Sequence, residues 1–81
     1  LSESQRAVLE QLGEWDAVGQ TGIIGREIGD ALEISAQRVS YHIGKLEEKG
    51  LVDTRRDGRR KEIDLTDVGR LFLRWTGGVA G

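Results

Sequence analysis

The feature that most restricts the fold is the dipeptide Asp57-Gly58, which stands between two runs of strand-forming residues. The surrounding sequence, residues 51–65, is LVDTRRDGRRKEIDL. Asp-Gly is among the strongest signals for a two-residue hairpin loop, because both central positions of the common turn need positive φ. The sequence therefore predicts a β-hairpin with Asp57-Gly58 at its turn. The base of this hairpin is apolar, at Val52, Ile63 and Leu65.

Positive charge is concentrated at the hairpin tip, although the chain as a whole is acidic. The net charge is −2, but residues 1–34 carry −5, residues 35–61 carry +4 and residues 62–81 carry −1. Salt screens charges beyond about 8–10 Å, so local charge decides what a surface attracts at close range. We therefore expect the binding segment within residues 35–61. The hairpin cations are Arg55, Arg56, Arg59, Arg60 and Lys61.

Three amphipathic helices are predicted before the hairpin and one after it. The first begins at the cap Ser2, and the second begins at Thr21. The third follows the cap Ser35 and stops at Gly50, and the last is capped by Thr66. The apolar positions that recur at helix and strand spacing predict a single core made of Val8, Leu12, Ile28, Leu32, Val39, Ile43, Leu46, Val52, Ile63, Leu65 and Leu71.

The order helix, connection, helix, short turn, helix, hairpin, helix is that of a winged helix-turn-helix. Residues 21–52, TGIIGREIGDALEISAQRVSYHIGKLEEKGLV, resemble the DNA-binding segment of MarR- and ArsR-like regulators of bacteria and archaea. KLEEKGLV, followed by a basic hairpin and LTDVGR, looks especially like MarR-type sequences. The predicted fold is α/β and mostly α, with a three-helix core, a β-hairpin wing and a C-terminal helix in one domain over residues 1–81.

Two residues near the turn between the second and third helices depart from the resembled family. Gly29 stands where the family usually has Ala, and Glu33 stands where it usually has Gly. A non-glycine residue with positive φ is uncommon. We therefore expect the turn at Glu33 to be built differently in this chain.

The resemblance implies that the chain binds double-stranded DNA, with the third helix (about residues 36–49) in the major groove. That groove is wide enough for a helix, and all four base pairs differ in it. Gln37 and Arg38 can make two-pronged contacts to adenine and guanine edges, and the wing (residues 55–61) would reach phosphates or the minor groove. The candidate residues on the third helix are Ser35, Gln37, Arg38, Ser40, Tyr41 and Lys45.

Other interpretations of these residues stay open. The hairpin cations could serve solubility or protect an edge strand against aggregation, and Tyr41 could pack on a neighbouring loop. His42 is expected to be partly buried and hydrogen-bonded rather than a ligand. The whole domain could instead be a winged helix used for protein contacts within a larger transcription or trafficking assembly.

The composition argues against catalysis and against a resident metal or cofactor. Cysteine is absent and there is one histidine, so no nucleophile–base constellation can be assembled from the sequence. No apolar run approaches the roughly 18 residues that span a bilayer. We expect a cytoplasmic protein, or a nuclear one if the source is eukaryotic, that contacts no membrane. A homodimer or a larger parent chain could form through the C-terminal helix.

Overall fold

The computed structural model describes residues 1–76, and these form four helices and a three-stranded sheet. The strands are antiparallel in the order β1-β3-β2. The winged helix-turn-helix predicted from the sequence is therefore confirmed. The elements are α1 (Glu3–Ala17), β1 (Ile23–Ile24), α2 (Gly25–Leu32), α3 (Ala36–Glu48), β2 (Val52–Asp57), β3 (Arg60–Leu65) and α4 (Asp67–Thr76).

Three of the four predicted helix caps are confirmed by hydrogen bonds. The Ser2 side chain accepts the N–H of Gln5 at 3.1 Å, and Thr66 Oγ1 accepts the N–H of Gly69 at 2.9 Å. The Ser35 side chain caps α3 and accepts a backbone N–H at 3.2 Å. Each cap satisfies one of the N–H groups that the first turn of a helix leaves unpaired.

The predicted cap of the second helix, Thr21, is wrong. The two residues before α2 are extended and pair with β3, Ile23 opposite Ile63 and Ile24 opposite Glu62. Ile23 is buried, so a two-residue strand gains both ladder hydrogen bonds and apolar burial that another helical turn would lose. The helix consequently begins at Gly25.

The hairpin is confirmed, but its turn lies one residue later than predicted. Asp57 pairs with Arg60, so Gly58 and Arg59 form the loop. Gly58 has φ +65°, and Arg59 is not among the residues with positive φ. This matches a type II′ turn, which requires glycine at the first central position and leaves the second unrestricted.

One apolar core lies between the helices and the inner face of the sheet. Leu32 of the predicted set packs against this core but is only partly buried. The buried apolar residues are Val8, Leu9, Leu12, Ile23, Ile28, Val39, Ile43, Leu46, Leu51, Val52, Ile63 and Leu65.

The prediction that Leu71 belongs to this core is wrong, because its side chain is 49% exposed. Gly69 faces inward instead, and a Cβ there would collide with the carbonyl oxygen of Leu51. That close approach turns Phe72 and Leu73 toward the core. The opposite side of α4 presents three exposed apolar residues, Val68, Leu71 and Trp75, which we call the α4 outer face.

The turn between α2 and α3 is built with Glu33 in the left-handed conformation, at φ 57° and ψ 46°. The expectation of a different construction is therefore wrong. The N–H groups of Glu33 and Ile34 both reach the carbonyl oxygen of Gly29, the second at 3.1 Å. A Cβ on Gly29 would lie 2.9 Å from the Ile34 carbonyl oxygen, so the tight turn accounts for glycine at that position.

Within residues 1–76, no helix has the length and apolar character that crossing a bilayer requires.

Candidate nucleic-acid interface

α3 has a buried side and a polar side, as its sequence pattern predicts. Val39, Ile43 and Leu46 face the core. Five of the six candidate residues on this helix and its cap are exposed, and Lys45 is half-buried. The helix therefore offers a continuous polar surface next to a rigid core. The exposed candidates are Ser35, Gln37, Arg38, Ser40 and Tyr41.

Tyr41 projects from this surface with a side chain that is 60% exposed. Its aromatic contacts are with its own helix rather than with a neighbouring loop. The ring meets His42 edge-on at a centroid distance of 5.5 Å, and Lys45 Nζ lies 5.7 Å from the ring centroid. Lys45 also approaches Glu48 at 3.6 Å, so its charge is partly balanced within α3.

The wing has two chemically different faces. Side chains alternate between the faces of a strand, and residues paired across an antiparallel ladder share a face. The inner face continues from the core, because Val52, Ile63 and Leu65 are buried. The cross-strand pairs on the inner face are Val52 with Leu65, Thr54 with Ile63 and Arg56 with Lys61.

The outer face of the wing carries two cations and four carboxylates. Arg55 Nε lies 2.8 Å from Asp64 Oδ2, and Arg55 Nη2 lies 3.3 Å from Glu62 Oε1. Arg60 approaches Glu62 at 3.9 Å and donates to the Gly22 carbonyl oxygen at 3.4 Å. These two cations are therefore neutralised. The pairs on this face are Asp53 with Asp64, Arg55 with Glu62 and Asp57 with Arg60.

The other three hairpin cations have no such neutralisation. Across residues 1–76, no carboxylate lies within 4.0 Å of Arg56, Arg59 or Lys61. Arg56 and Lys61 stand directly opposite each other on the inner face, and like charges in that position destabilise a ladder. Arg59 is exposed in the loop. The sequence groups five cations, and the fold divides them into two paired and three unpaired ones.

The unpaired side of the wing adjoins α3. Lys61 and four residues of α3 line one cavity of about 410 Å³, together with Gly25 and Gly29 of α2. The inner-face cations and the polar surface of α3 are thus placed on neighbouring parts of the molecule. The four α3 residues are Ala36, Val39, Ser40 and Ile43.

His42 departs from its sequence-based prediction in one respect. It is buried, with 9% of its surface exposed, but its Nδ1 has no hydrogen-bond partner. Together with Ser4 of α1, it lines a pocket that also contains Ser35, Gln37 and Arg38. Ser4 could not be identified from the sequence, because the pocket forms only when the first turns of α1 and α3 meet.

The described residues form a tight helix-turn-helix whose last helix is polar on its exposed side. A hairpin with an unneutralised cationic face lies beside it. Together they define a winged helix-turn-helix domain. The family model described as MarR family matches residues 2–61, which is most of the sequence. The chain belongs to the MarR family.

Solved MarR-type regulators share this architecture. The PcaV transcriptional regulator of Streptomyces coelicolor is 30% identical, with a TM-score of 0.77 over 98% of this chain and 54% of that one. A variant of MepR from Staphylococcus aureus, bound to an oligodeoxyribonucleotide, is 28% identical, with a TM-score of 0.78 over 91% of this chain and 56% of that one. The similarity covers the winged helix and about half of each regulator.

A curated relative connects the domain to longer proteins. The riboflavin kinase of Thermococcus kodakarensis is 37% identical over 67 residues, which is 82% of this chain and 32% of that protein. The chain spans about a third of the length of the curated relatives that it matches.

Proposed function

We propose that this domain is the DNA-binding module of a transcriptional regulator, with α3 in the major groove and the wing on phosphates or in the minor groove. The observation that carries the proposal is the unneutralised inner face of the wing, Arg56 opposite Lys61, beside the polar surface of α3. A ladder keeps two facing cations at a cost in stability, and a polyanion would remove that cost. The MepR variant bound to an oligodeoxyribonucleotide supports the same partner.

Within α3, the residues divide by chemistry. Gln37 and Arg38 are assigned to base edges, since an amide suits adenine and a guanidinium suits guanine. Ser40 and Tyr41 offer exposed hydroxyls to phosphates or bases, and Lys45 offers a charge. The Ser35 hydroxyl accepts the N–H of Arg38 and retains its own hydrogen for donation to a phosphate.

Within the wing, we assign Arg56, Arg59 and Lys61 to DNA. Arg55 and Arg60 act as positioning residues, because their ion pairs and the bond to the Gly22 carbonyl hold the two strands and the start of β1 together. A neutralised cation releases fewer counterions when it meets a phosphate, and counterion release supplies much of the affinity for DNA.

A matched pair of double variants tests this division. Arg56→Gln with Lys61→Gln should lower the slope of log K against log salt by about 1.8, at roughly 0.9 per lost phosphate contact. Between 50 and 200 mM salt, the factor by which the variant loses affinity for DNA should therefore be about 12-fold smaller than the factor for the parent. Arg55→Gln with Arg60→Gln removes the same charge and should leave most of the slope intact. Fluorescence anisotropy with a labelled duplex measures both, after thermal melts establish that the variants fold.

Equal slopes for the two double variants would refute the division between faces. A parent protein that binds no duplex at low salt would refute the DNA-binding function itself.

One observation favours a second candidate function, which is protein contact. Val68, Leu71 and Trp75 leave an apolar outer face on α4, and Trp75 is 74% exposed. We propose that this face meets a second copy of the chain or another part of a longer polypeptide. Sedimentation at micromolar concentration distinguishes these: a dimer that Leu71→Arg dissociates supports the second copy, and a monomer excludes it.

We assign binding, and no catalysis, to this domain. The riboflavin kinase relative is matched over a third of its length, in a stretch that corresponds to the winged helix. The proposed partner puts the protein in the compartment that holds DNA, the cytoplasm of a prokaryote or the nucleus of a eukaryote.

A further inference from the structure

A hydrogen bond joins the last turn of α3 directly to the wing. The Thr54 hydroxyl donates to Glu47 Oε2 at 2.8 Å. Thr54 lies on the inner face of the wing, one inner-face position before Arg56. Glu47 is exposed and Thr54 is half-buried, so neither belongs to the core. The bond therefore connects the helix proposed to read bases with the face of the wing proposed to meet phosphates.

Glu47 is electrostatically unfavourable at its position for two reasons. It lies in the last turn of α3, where the helix dipole disfavours a carboxylate. It also adds negative charge beside a surface proposed to meet a polyanion. Glu48 is partly balanced by Lys45 at 3.6 Å, but across residues 1–76 no cationic side chain lies within 4.0 Å of the Glu47 carboxylate. That carboxylate accepts from the Thr54 hydroxyl instead.

Other contacts support the wing within the plane of its sheet. β3 pairs with β1 as far as Glu62, and Thr66 holds the base of the hairpin, where its hydroxyl donates to the Gly50 carbonyl oxygen at 2.7 Å. Ladder hydrogen bonds lie in the plane of the sheet. A hairpin held in this way can still bend toward α3 or away from it. The bond from Thr54 to Glu47 acts along that direction, because it joins the inner face to α3.

A small displacement at Thr54 is amplified at the tip of the wing. At about 3.3 Å per residue, Thr54 lies about 10 Å along the strand from Leu51, and the first loop residue lies about 23 Å from it. A movement of the inner face at Thr54 is therefore roughly doubled at the tip. The unneutralised cations Arg56, Arg59 and Lys61 all lie beyond Thr54 along the hairpin.

We propose that Glu47 is a positioning residue for DNA recognition, because its bond to Thr54 sets the angle between α3 and the wing. The inference rests on the proposed function, since it concerns which duplexes can meet α3 and the wing at once. A contact can shift a conformational equilibrium by no more than its own free energy. One net hydrogen bond is worth about 2- to 12-fold in an equilibrium constant, which limits its effect on the discrimination between duplexes.

Four single variants test the bond. Thr54→Val removes the hydroxyl and keeps the shape of the side chain, whereas Thr54→Ser keeps the hydroxyl. Glu47→Ala removes the acceptor. Its matched control is Glu48→Ala, which removes the same charge one residue further along α3, from a carboxylate that pairs with Lys45. Thermal melts first establish that all four variants fold.

The first readout is the ratio of affinities for two duplexes, one selected by the parent protein from a randomised pool and one with the same bases scrambled. Thr54→Val and Glu47→Ala should each lower this ratio by about 2- to 12-fold, and the double variant should lower it no further. Thr54→Ser should keep the parent ratio. Glu48→Ala should strengthen binding to both duplexes and leave the ratio unchanged, because it removes a charge that repels phosphates.

The second readout follows the wing without DNA. The chain has no cysteine, so spin labels can be attached to two introduced cysteines, Gln37→Cys on α3 and Arg59→Cys at the tip of the wing. The distance between the labels should be more broadly distributed in Thr54→Val than in the parent or in Thr54→Ser, because the tip is no longer held relative to α3.

Each outcome decides the question. Lower discrimination in Thr54→Val and Glu47→Ala, with a broader label distance, supports the positioning role. Equal behaviour of Glu47→Ala and Glu48→Ala would show that Glu47 acts only as a surface charge, and this overturns the proposal. An unchanged distance distribution in Thr54→Val overturns it as well. A parent that binds no duplex refutes the proposed function instead, and the label distances still show whether the bond holds the wing.

Discussion

Replacing Gly69 by Ala should destabilise the domain, although alanine is the better helix former. The side chains of α4 reach the core only because its backbone lies against Leu51. A Cβ on Gly69 would overlap the Leu51 carbonyl oxygen and lie 2.8 Å from Leu65 Cδ1. The first of these is a backbone atom, and it also accepts the N–H of Thr66 at 3.2 Å. The helix must therefore move outward, and the hydrogen bond that starts α4 moves with it.

The magnitude follows from three opposing contributions. Overpacking costs about 1–3 kcal/mol, and weakening the Thr66 to Leu51 hydrogen bond costs about 0.5–1.5 kcal/mol. The change from glycine to alanine in a helix contributes about 1 kcal/mol in the other direction. We expect a net loss of about 0.5–3.5 kcal/mol in the free energy of unfolding, or about 2–28 °C in Tm for a domain of this size.

The matched control is Gly44→Ala in α3, where a Cβ meets no atom within 4 Å. Only the higher helix propensity of alanine then acts, and the free energy of unfolding should rise by about 1 kcal/mol. Urea and thermal unfolding followed by circular dichroism at 222 nm measure both variants. If Gly69→Ala were as stable as the parent while Gly44→Ala gained the expected amount, the close packing of α4 on Leu51 would be wrong.

Two further predictions concern the α2–α3 turn and the link between α1 and α4. Glu33→Gly should raise the free energy of unfolding by about 1 kcal/mol, because glycine adopts φ 57° without the strain of a Cβ; a loss of stability by the same urea assay would contradict the left-handed turn. The pKa of Asp16 is lowered chiefly by its side-chain hydrogen bonds from Arg70, against a smaller opposing effect of burial. A carboxylate whose pKa is lower in the folded state than in the unfolded state stabilises the fold at higher pH. That stabilisation is lost as the pH falls through the folded-state pKa. The parent should therefore lose stability more steeply than Asp16→Asn below about pH 4, and parallel pH profiles of Tm would contradict the ion pair.

The overall fold could be predicted from the sequence because several local signals agree with one another. Caps at Ser2, Ser35 and Thr66, a helical apolar period and a glycine-containing hairpin turn all indicate the same order of elements. The register of the hairpin could also have been predicted, from the charges that face each other across its two strands. A loop at Asp57-Gly58 would place Arg55 opposite Arg60, whereas the observed register places Arg55 opposite Glu62, which cross-strand electrostatics favours.

Other features depend on contacts that the sequence does not encode locally. Val68, Leu71, Phe72 and Trp75 have the spacing of a buried stripe, but Gly69 decides which side of α4 faces the core by allowing the closest approach. The two-residue strand at Ile23 is too short for a periodic signal and exists because β3 is beside it. The residues proposed to contact DNA were chosen from the sequence, and their contacts stay predictions.

β1 ends at Ile24 and α2 begins at Gly25, so the strand hydrogen-bonded to the wing passes into the helix-turn-helix without a linker. The bond from Arg60 to the Gly22 carbonyl oxygen adds a second tether at the same junction. Both connections join the wing to the start of the helix-turn-helix, and we therefore expect the wing and α3 to keep a nearly constant separation. A duplex whose groove width differs from that separation must itself deform to meet both contacts, and the energy of that deformation depends on base sequence. If α3 and the wing make the contacts proposed above, we expect the domain to discriminate between DNA sequences through their stiffness, at base pairs that it does not touch.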